Sequence, residues 1–166
     1  FISEEITTDF PDNGCKIHVL ALDITEAQHE DISRLRGNIY DLVAYQNEEE
    51  ILHIAAHPLF AVNDRMTREH FEQLLLLFNH FELNGTRDNY QNNILTDILS
   101  RLDAEHMERL TNKYDLAPRG ETPWRKNLTA GSDDHSGLHV ASSYTLVEKE
   151  GKLTDFLAAI ENQENC

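Results

Sequence analysis

Stretches with the hydrophobic period of a strand alternate with stretches that have the period of a helix along this 166-residue chain. Residues 15–22, "CKIHVLAL", alternate apolar and other side chains between turn signals, which predicts a strand. Thr25 and Gln28 then form a capping-box pattern, and apolar residues recur at steps of three and four up to residue 46, which predicts a helix. Such alternation favours a mostly parallel sheet, or a barrel with helices outside.

The remaining elements are predicted from the same two periods. Helices are expected after Thr67, around residues 94–102 and 107–114, and after Thr154, where each threonine is in a capping position. Further strands are expected at residues 1–8, 51–58, 80–85, 128–135 and 144–148.

The charge of the chain limits its partners. Thirty acidic residues against 14 basic ones give a net charge of −16, which repels nucleic acid and anionic membranes. No apolar run approaches the roughly 18 residues of a membrane span. Two cysteines, Cys15 and Cys166, are too few for a disulfide framework, so we expect a reducing, cytoplasmic setting.

Acidic and imidazole side chains recur where the predicted strands end. In a sheet of parallel strands, such ends meet at one edge, where active sites form. Because alternate strand residues share a face, Glu5 is a better inward candidate than Glu4. Imidazole nitrogen and carboxylate oxygen are ligands for zinc, manganese or iron. The candidate metal ligands are Glu5, His18, His57, Asp133 and His135.

A metal held there would lower the pKa of a bound water and permit hydrolysis without a protein nucleophile, so no catalytic side chain is assigned. Taken singly, each candidate residue is more often structural; a histidine at a strand end usually satisfies a hydrogen bond, and Asp133 can cap a turn. Arg65 and Lys126 are the cations best placed to bind a phosphate, with an ordinary surface charge as the alternative.

Four motifs, "SEEIT", "KIHVLAL", "IAAHPL" and "AGSDDH", occur in this order. They resemble the later motifs of the polymerase and histidinol phosphatase (PHP) superfamily of metal-dependent phosphoesterases. The resemblance spans about residues 1–145. It implies an α/β fold, a distorted (β/α)7 TIM-like barrel, with up to three divalent metal ions at the C-terminal rim.

The resemblance also assigns roles to the candidate ligands. Glu5 matches the bridging glutamate, and Glu5, His18 and His57 would complete one metal site. Asp133 would serve a second site and His135 a third. The family's opening motifs, a His-x-His and an Asp-His pair, do not occur before Phe1. We therefore expect residues 1–166 to be the C-terminal portion of a single PHP-like domain whose first strands are absent.

Three functions follow as hypotheses. The first is a PHP-type phosphoesterase that hydrolyses a small-molecule phosphate ester with a metal-activated water. The second is a non-catalytic PHP module that binds metal or a partner. The third is an interaction module in which all of these polar residues are structural.

Overall fold

The computed structural model describes residues 1–86, 89–148 and 151–162, so Cys166 lies outside the described residues. Strands and helices alternate along most of the chain. In chain order the elements are β1 (Ile2–Phe10), β2 (Cys15–Ile24), α1 (Glu26–Leu35), α2 (Ile39–Glu48), β3 (Leu52–Ala56), α3 (Arg68–Leu77), β4 (His80–Asn84), α4 (Asn89–Ser100), α5 (Ala104–Tyr114), β5 (Asn127–Gly131) and α6 (Leu153–Glu161).

The five strands form one open sheet in the order β1-β2-β3-β4-β5. The pairs β1–β2 and β2–β3 are antiparallel, whereas β3–β4 and β4–β5 are parallel. The expected (β/α)7 TIM-like barrel is therefore wrong for this chain. Residues 11–14 form a tight turn, which allows only antiparallel pairing of β1 with β2, and β1 and β5 lie at opposite edges of the sheet, so it does not close on itself.

Several predicted elements have different bounds in the structure. The helix expected over residues 25–46 is two helices, because α1 ends at Leu35 with Arg36 as its C-cap and Asn38 caps α2. The last helix begins after Lys152 without a side-chain cap, rather than after Thr154. Within the described residues, the strand expected at 144–148 is reduced to a single bridge at Val147.

The two faces of the sheet differ in chemistry. One face packs against α2, α3 and α4 and is apolar; its buried side chains include Phe10, Ile17, Val19, Ala55 and Phe81. By strand alternation the opposite face carries Glu5, His18 and Glu82, which places titratable groups of three strands on one surface. None of the helices in the described part of the chain has both the length and the apolar character needed to cross a bilayer.

Candidate metal centre

Three of the predicted ligands converge on the sheet face that carries Glu5, His18 and Glu82. Oε1 of Glu5 lies 2.6 Å from Nδ1 of His18 and 3.5 Å from Nε2 of His57. The two imidazole nitrogens are 3.2 Å apart. We call Glu5, His18 and His57 the candidate metal centre. Among the described histidine, cysteine and acidic residues, these three form the group whose possible ligand atoms all lie within 4.8 Å of one another.

Strand register brings these three residues together. Glu5 pairs with Leu20 and Thr7 with His18, so Glu5 and His18 are diagonal neighbours on one face. Diagonal neighbours are about 7–8 Å apart at the backbone, which glutamate and histidine side chains can span. His18 pairs in turn with Ala56, the last residue of β3, and His57 follows it directly. The sequence had suggested that Glu5 lies at the end of its strand. In the structure it lies in the middle of β1.

His57 has an unusual backbone conformation. Its φ is +30°, and its carbonyl accepts a hydrogen bond from the N–H of Phe60 in the turn that follows β3. This conformation is uncommon for a residue other than glycine and is often found at functional sites. The imidazole is buried, and its Nδ1 has no hydrogen-bond partner while Nε2 is directed at Glu5 and His18.

The donor set fits a divalent transition metal. Two imidazole nitrogens and one carboxylate oxygen form the protein ligand set of several zinc and iron sites. Ligands about 2.0–2.1 Å from a tetrahedral ion are roughly 3.3 Å from one another. The separations of 3.2 and 3.5 Å are close to that value, and the shorter one, 2.6 Å, is a hydrogen bond between Glu5 and His18.

The carboxylate of Glu5 is held in its ionised form. Hydrogen bonds from His18 and then from His57 keep its pKa well below the ordinary range, and they outweigh the opposing effect of burial. The Glu5 side chain is 37% exposed and that of His18 24% exposed. The centre is therefore open to solvent on one side, and a small molecule can reach it.

Glu82 is a buried neighbour of this centre that the sequence reasoning missed. Its Oε2 accepts a hydrogen bond from the backbone N–H of His57 at 3.2 Å. Burial raises the pKa of Glu82, and the charges of Asp133 and Glu5 raise it further, although His57 opposes them. A Cβ at position 131 would overlap Oε1 of Glu82, so Gly131 makes the close approach of this carboxylate possible. The sequence feature that could have identified Glu82 is the alternation within "HFELNG", because it places His80, Glu82 and Asn84 on one face of the strand.

Asp133 and His135 follow β5 and lie outside the group of converging ligands. Asp133 has φ +45° and a side chain that is only 7% exposed, and its Oδ2 accepts a hydrogen bond from Nδ2 of Asn84 at 2.9 Å. The His135 side chain is 83% exposed, and its Nδ1 lies 3.1 Å from the carbonyl oxygen of Asp133. Strand β5 ends at Gly131, so the alternation expected to place Asp133 and His135 on one face does not extend to them.

The two predicted phosphate-binding cations make contacts in other parts of the fold. Nη1 of Arg65 donates to the carbonyl of Asn13 at 2.8 Å and so fixes the β1–β2 turn. Nζ of Lys126 donates to the carbonyls of Leu75 and Phe78, both at 2.7 Å, where α3 ends. Burial lowers the pKa of Lys126 to about 7. The structure brings neither residue to the candidate metal centre.

Comparisons of the chain with family models, with curated proteins and with solved structures give no match.

Proposed function

We propose that the protein is a metal-dependent phosphoesterase that hydrolyses a small-molecule phosphate ester at the candidate metal centre. The observation that carries the proposal is the convergence of Glu5, His18 and His57, which are far apart in the sequence. The order of the PHP-like motifs supports a phosphate ester as substrate and membership of that superfamily. Zinc, manganese and iron are the proposed metals because each accepts imidazole and carboxylate ligands.

The residues of the chain have separate parts in this proposal. His18 and His57 would bind the metal through the nitrogens that face Glu5, and the Glu5 carboxylate would contribute a negative ligand. When bound, the metal supplies a water of lowered pKa and polarises a phosphoryl oxygen. Glu82 fixes the backbone of His57 and thereby the position of its ring. The exposed side of Glu5 gives the ester access.

The net charge and the free thiol of the protein bear on its proposed partners and location. The net charge of −16 disfavours nucleic acid and anionic membranes as partners. Cys15 is a buried free thiol, which is consistent with the proposed reducing, cytoplasmic location.

A second candidate function is a metal-binding module without catalysis. It is favoured by the position of Arg65 and Lys126, which bond to backbone carbonyls elsewhere in the fold instead of facing the centre. A phosphate ester bound at the centre would then lack the cations that were expected to hold it.

One experiment separates the two functions. The protein is loaded with Zn²⁺, Mn²⁺ or Fe²⁺ and assayed for phosphate release from p-nitrophenyl phosphate and from a panel of sugar, nucleotide and amino-alcohol phosphates. We expect metal-dependent release that a chelator stops and that His57→Ala reduces by more than about a hundredfold, because losing a ligand should cost more than losing a group that only orients one, which costs about 10- to 100-fold. Stoichiometric metal binding without hydrolysis of any ester would establish the non-catalytic module instead. Absence of metal binding would refute both functions.

A further inference from the structure

A groove of about 600 Å³ lies on the outer helical layer between α3, α4 and α5, and we call it the α3–α5 groove. Its volume lies within the roughly 300–1,000 Å³ typical of small-molecule sites. It shares no lining residue with the candidate metal centre. The floor is apolar and is formed by Phe71, Leu75, Ile98, Leu102 and Leu110.

The edge of the α3–α5 groove is basic. Arg68, Arg109 and Lys113 line it, together with His106, and among the described lining residues the one carboxylate is that of Glu72. This excess of cations is unusual in a chain whose net charge is −16. The described lining residues hold three cations and one carboxylate, a local balance opposite in sign to that of the whole protein, which favours an anionic ligand over a cationic one.

Glu72 offsets one of these three positive charges and holds two of the cations in place. Its carboxylate accepts hydrogen bonds from Nε of Arg68 at 2.7 Å, from Nζ of Lys113 at 2.6 Å and from the hydroxyl of Tyr114 at 2.5 Å. Burial raises the pKa of Glu72, but these hydrogen bonds outweigh it and lower the pKa to about 2. Glu72 is therefore an ionised anchor that fixes Arg68 and Lys113 at the edge of the groove.

Arg109 is the cation that can turn to a ligand most easily. Its Nη1 contacts Oε1 of Glu105 at 3.0 Å, and both side chains are more than half exposed. Exposed ion pairs of this i,i+4 kind contribute little to stability, so an incoming anion can replace the contact at low cost. The planar guanidinium also matches a carboxylate with two parallel hydrogen bonds.

We propose that the α3–α5 groove binds a small amphipathic anion, a medium-chain acyl carboxylate. Its hydrocarbon chain lies on the apolar floor, and its carboxylate lies at Arg109 and Lys113. The apolar floor accounts for the chain, since removing such surface from water is the main driving force for binding an apolar body. The basic edge accounts for the charge of the head group. The proposal does not depend on the metal centre.

Decanoate is the probe, titrated into the protein in the presence of EDTA and followed by calorimetry and by NMR chemical-shift mapping. We expect saturable binding of one decanoate per chain, with shift changes confined to α3, α4 and α5. Decanol, which has the same chain without the charge, is expected to bind at least about fivefold more weakly, because it cannot form charge-assisted hydrogen bonds. Equal binding of decanol, or shift changes spread over the whole surface, would overturn the proposal.

Two variants and a matched control locate the site. Ile98→Glu places a carboxylate on the apolar floor and is expected to weaken decanoate binding at least about tenfold. Arg109→Gln is expected to weaken it several-fold without affecting folding, because the side chain is exposed. Arg101→Gln is the control, since Arg101 forms the same kind of exposed i,i+4 pair, with Asp97, and does not line the groove. An equal loss in Arg101→Gln and Arg109→Gln would refute the site, as would unchanged affinity in both Ile98→Glu and Arg109→Gln.

Discussion

Oε2 of Glu82 accepts a hydrogen bond from the backbone N–H of His57 at 3.2 Å, which joins β4 to the first residue after β3. His57 has a positive φ at that point, a conformation that persists only where neighbouring groups fix it. The Nε2 of His57 is directed at Glu5 and His18. The position of one proposed metal ligand therefore depends on a carboxylate that does not itself belong to the group of converging ligand atoms.

Glu82→Ala removes the acceptor of the His57 N–H and is expected to weaken zinc affinity about tenfold, the lower end of the range for groups that orient metal ligands. Glu82→Gln retains a carbonyl oxygen as acceptor, and we expect it to recover most of the lost affinity. Competition with a chromophoric chelator measures both. A merely structural role would lower the stability of both variants without separating their zinc affinities.

Gly131→Ala tests whether the position of the Glu82 carboxylate matters, without changing Glu82 itself. The added methyl group would overlap Oε1 of Glu82 and displace the carboxylate. We expect zinc affinity to fall by a similar factor, although no acceptor is removed. Gly37→Ala is the matched control, because a Cβ there meets no atom within 4 Å. Zinc affinity that is unchanged in Gly131→Ala would show that the position of Glu82 does not matter for the centre.

His18→Ala and His57→Ala each remove one proposed ligand and are expected to abolish stoichiometric zinc binding, measured by elemental analysis after gel filtration. His29→Ala is the control: its Nδ1 contacts Oε2 of Glu4 at 2.8 Å, a similar histidine–glutamate pair that includes the residue next to Glu5. We expect His29→Ala and His135→Ala to retain zinc. Loss of zinc in His135→Ala would place a further ligand where the structure has an exposed side chain.

The candidate metal centre was partly accessible from the sequence. Strand alternation selected Glu5 over Glu4, and in the structure Glu5 faces His18 while Glu4 contacts His29 of α1. The assumption that Glu5 ends its strand was wrong, since β1 continues to Phe10. The diagonal position of Glu5 and His18 depends on the register of β1 and β2, which the periodicity of either strand alone does not specify.

The predicted barrel topology was the larger error. Strand and helix periods located nearly all elements, but they carry no information on strand direction, and α1 and α2 connect strands that turn out to be antiparallel. The end of β5 was misplaced in a similar way. Apolar and small residues continue to Ser132, yet β5 ends at Gly131, the backbone is left-handed at Asp133, and His135 is exposed to solvent. A single aspartate in that conformation leaves no pattern in the sequence.

Zinc is expected to stabilise the folded protein, because the unfolded chain does not bring Glu5, His18 and His57 together. At a free concentration of 100 times the dissociation constant, linkage gives about 2.7 kcal/mol. For a chain of this length that corresponds to a rise in Tm of roughly 5–10 °C. Differential scanning fluorimetry with and without EDTA measures the shift, and His57→Ala should show none. An equal zinc-induced rise in His57→Ala would mean that the metal binds elsewhere.

Acid is expected to unfold the protein through two buried histidines. Burial lowers the pKa values of His53 and His80 from 6.5 to about 4. Between these values the unfolded chain binds more protons than the folded one, so the free energy of unfolding must fall as the pH drops from 6.5 toward 4. Two such groups give a slope approaching about 2.7 kcal/mol per pH unit. Urea unfolding in EDTA at pH 6 to 5 measures it, below the pKa of about 7 that burial gives Lys126. His53→Gln should halve the slope, whereas His29→Gln, an exposed control, should leave it unchanged. A slope that His53→Gln does not alter would show that the acid sensitivity arises at other groups.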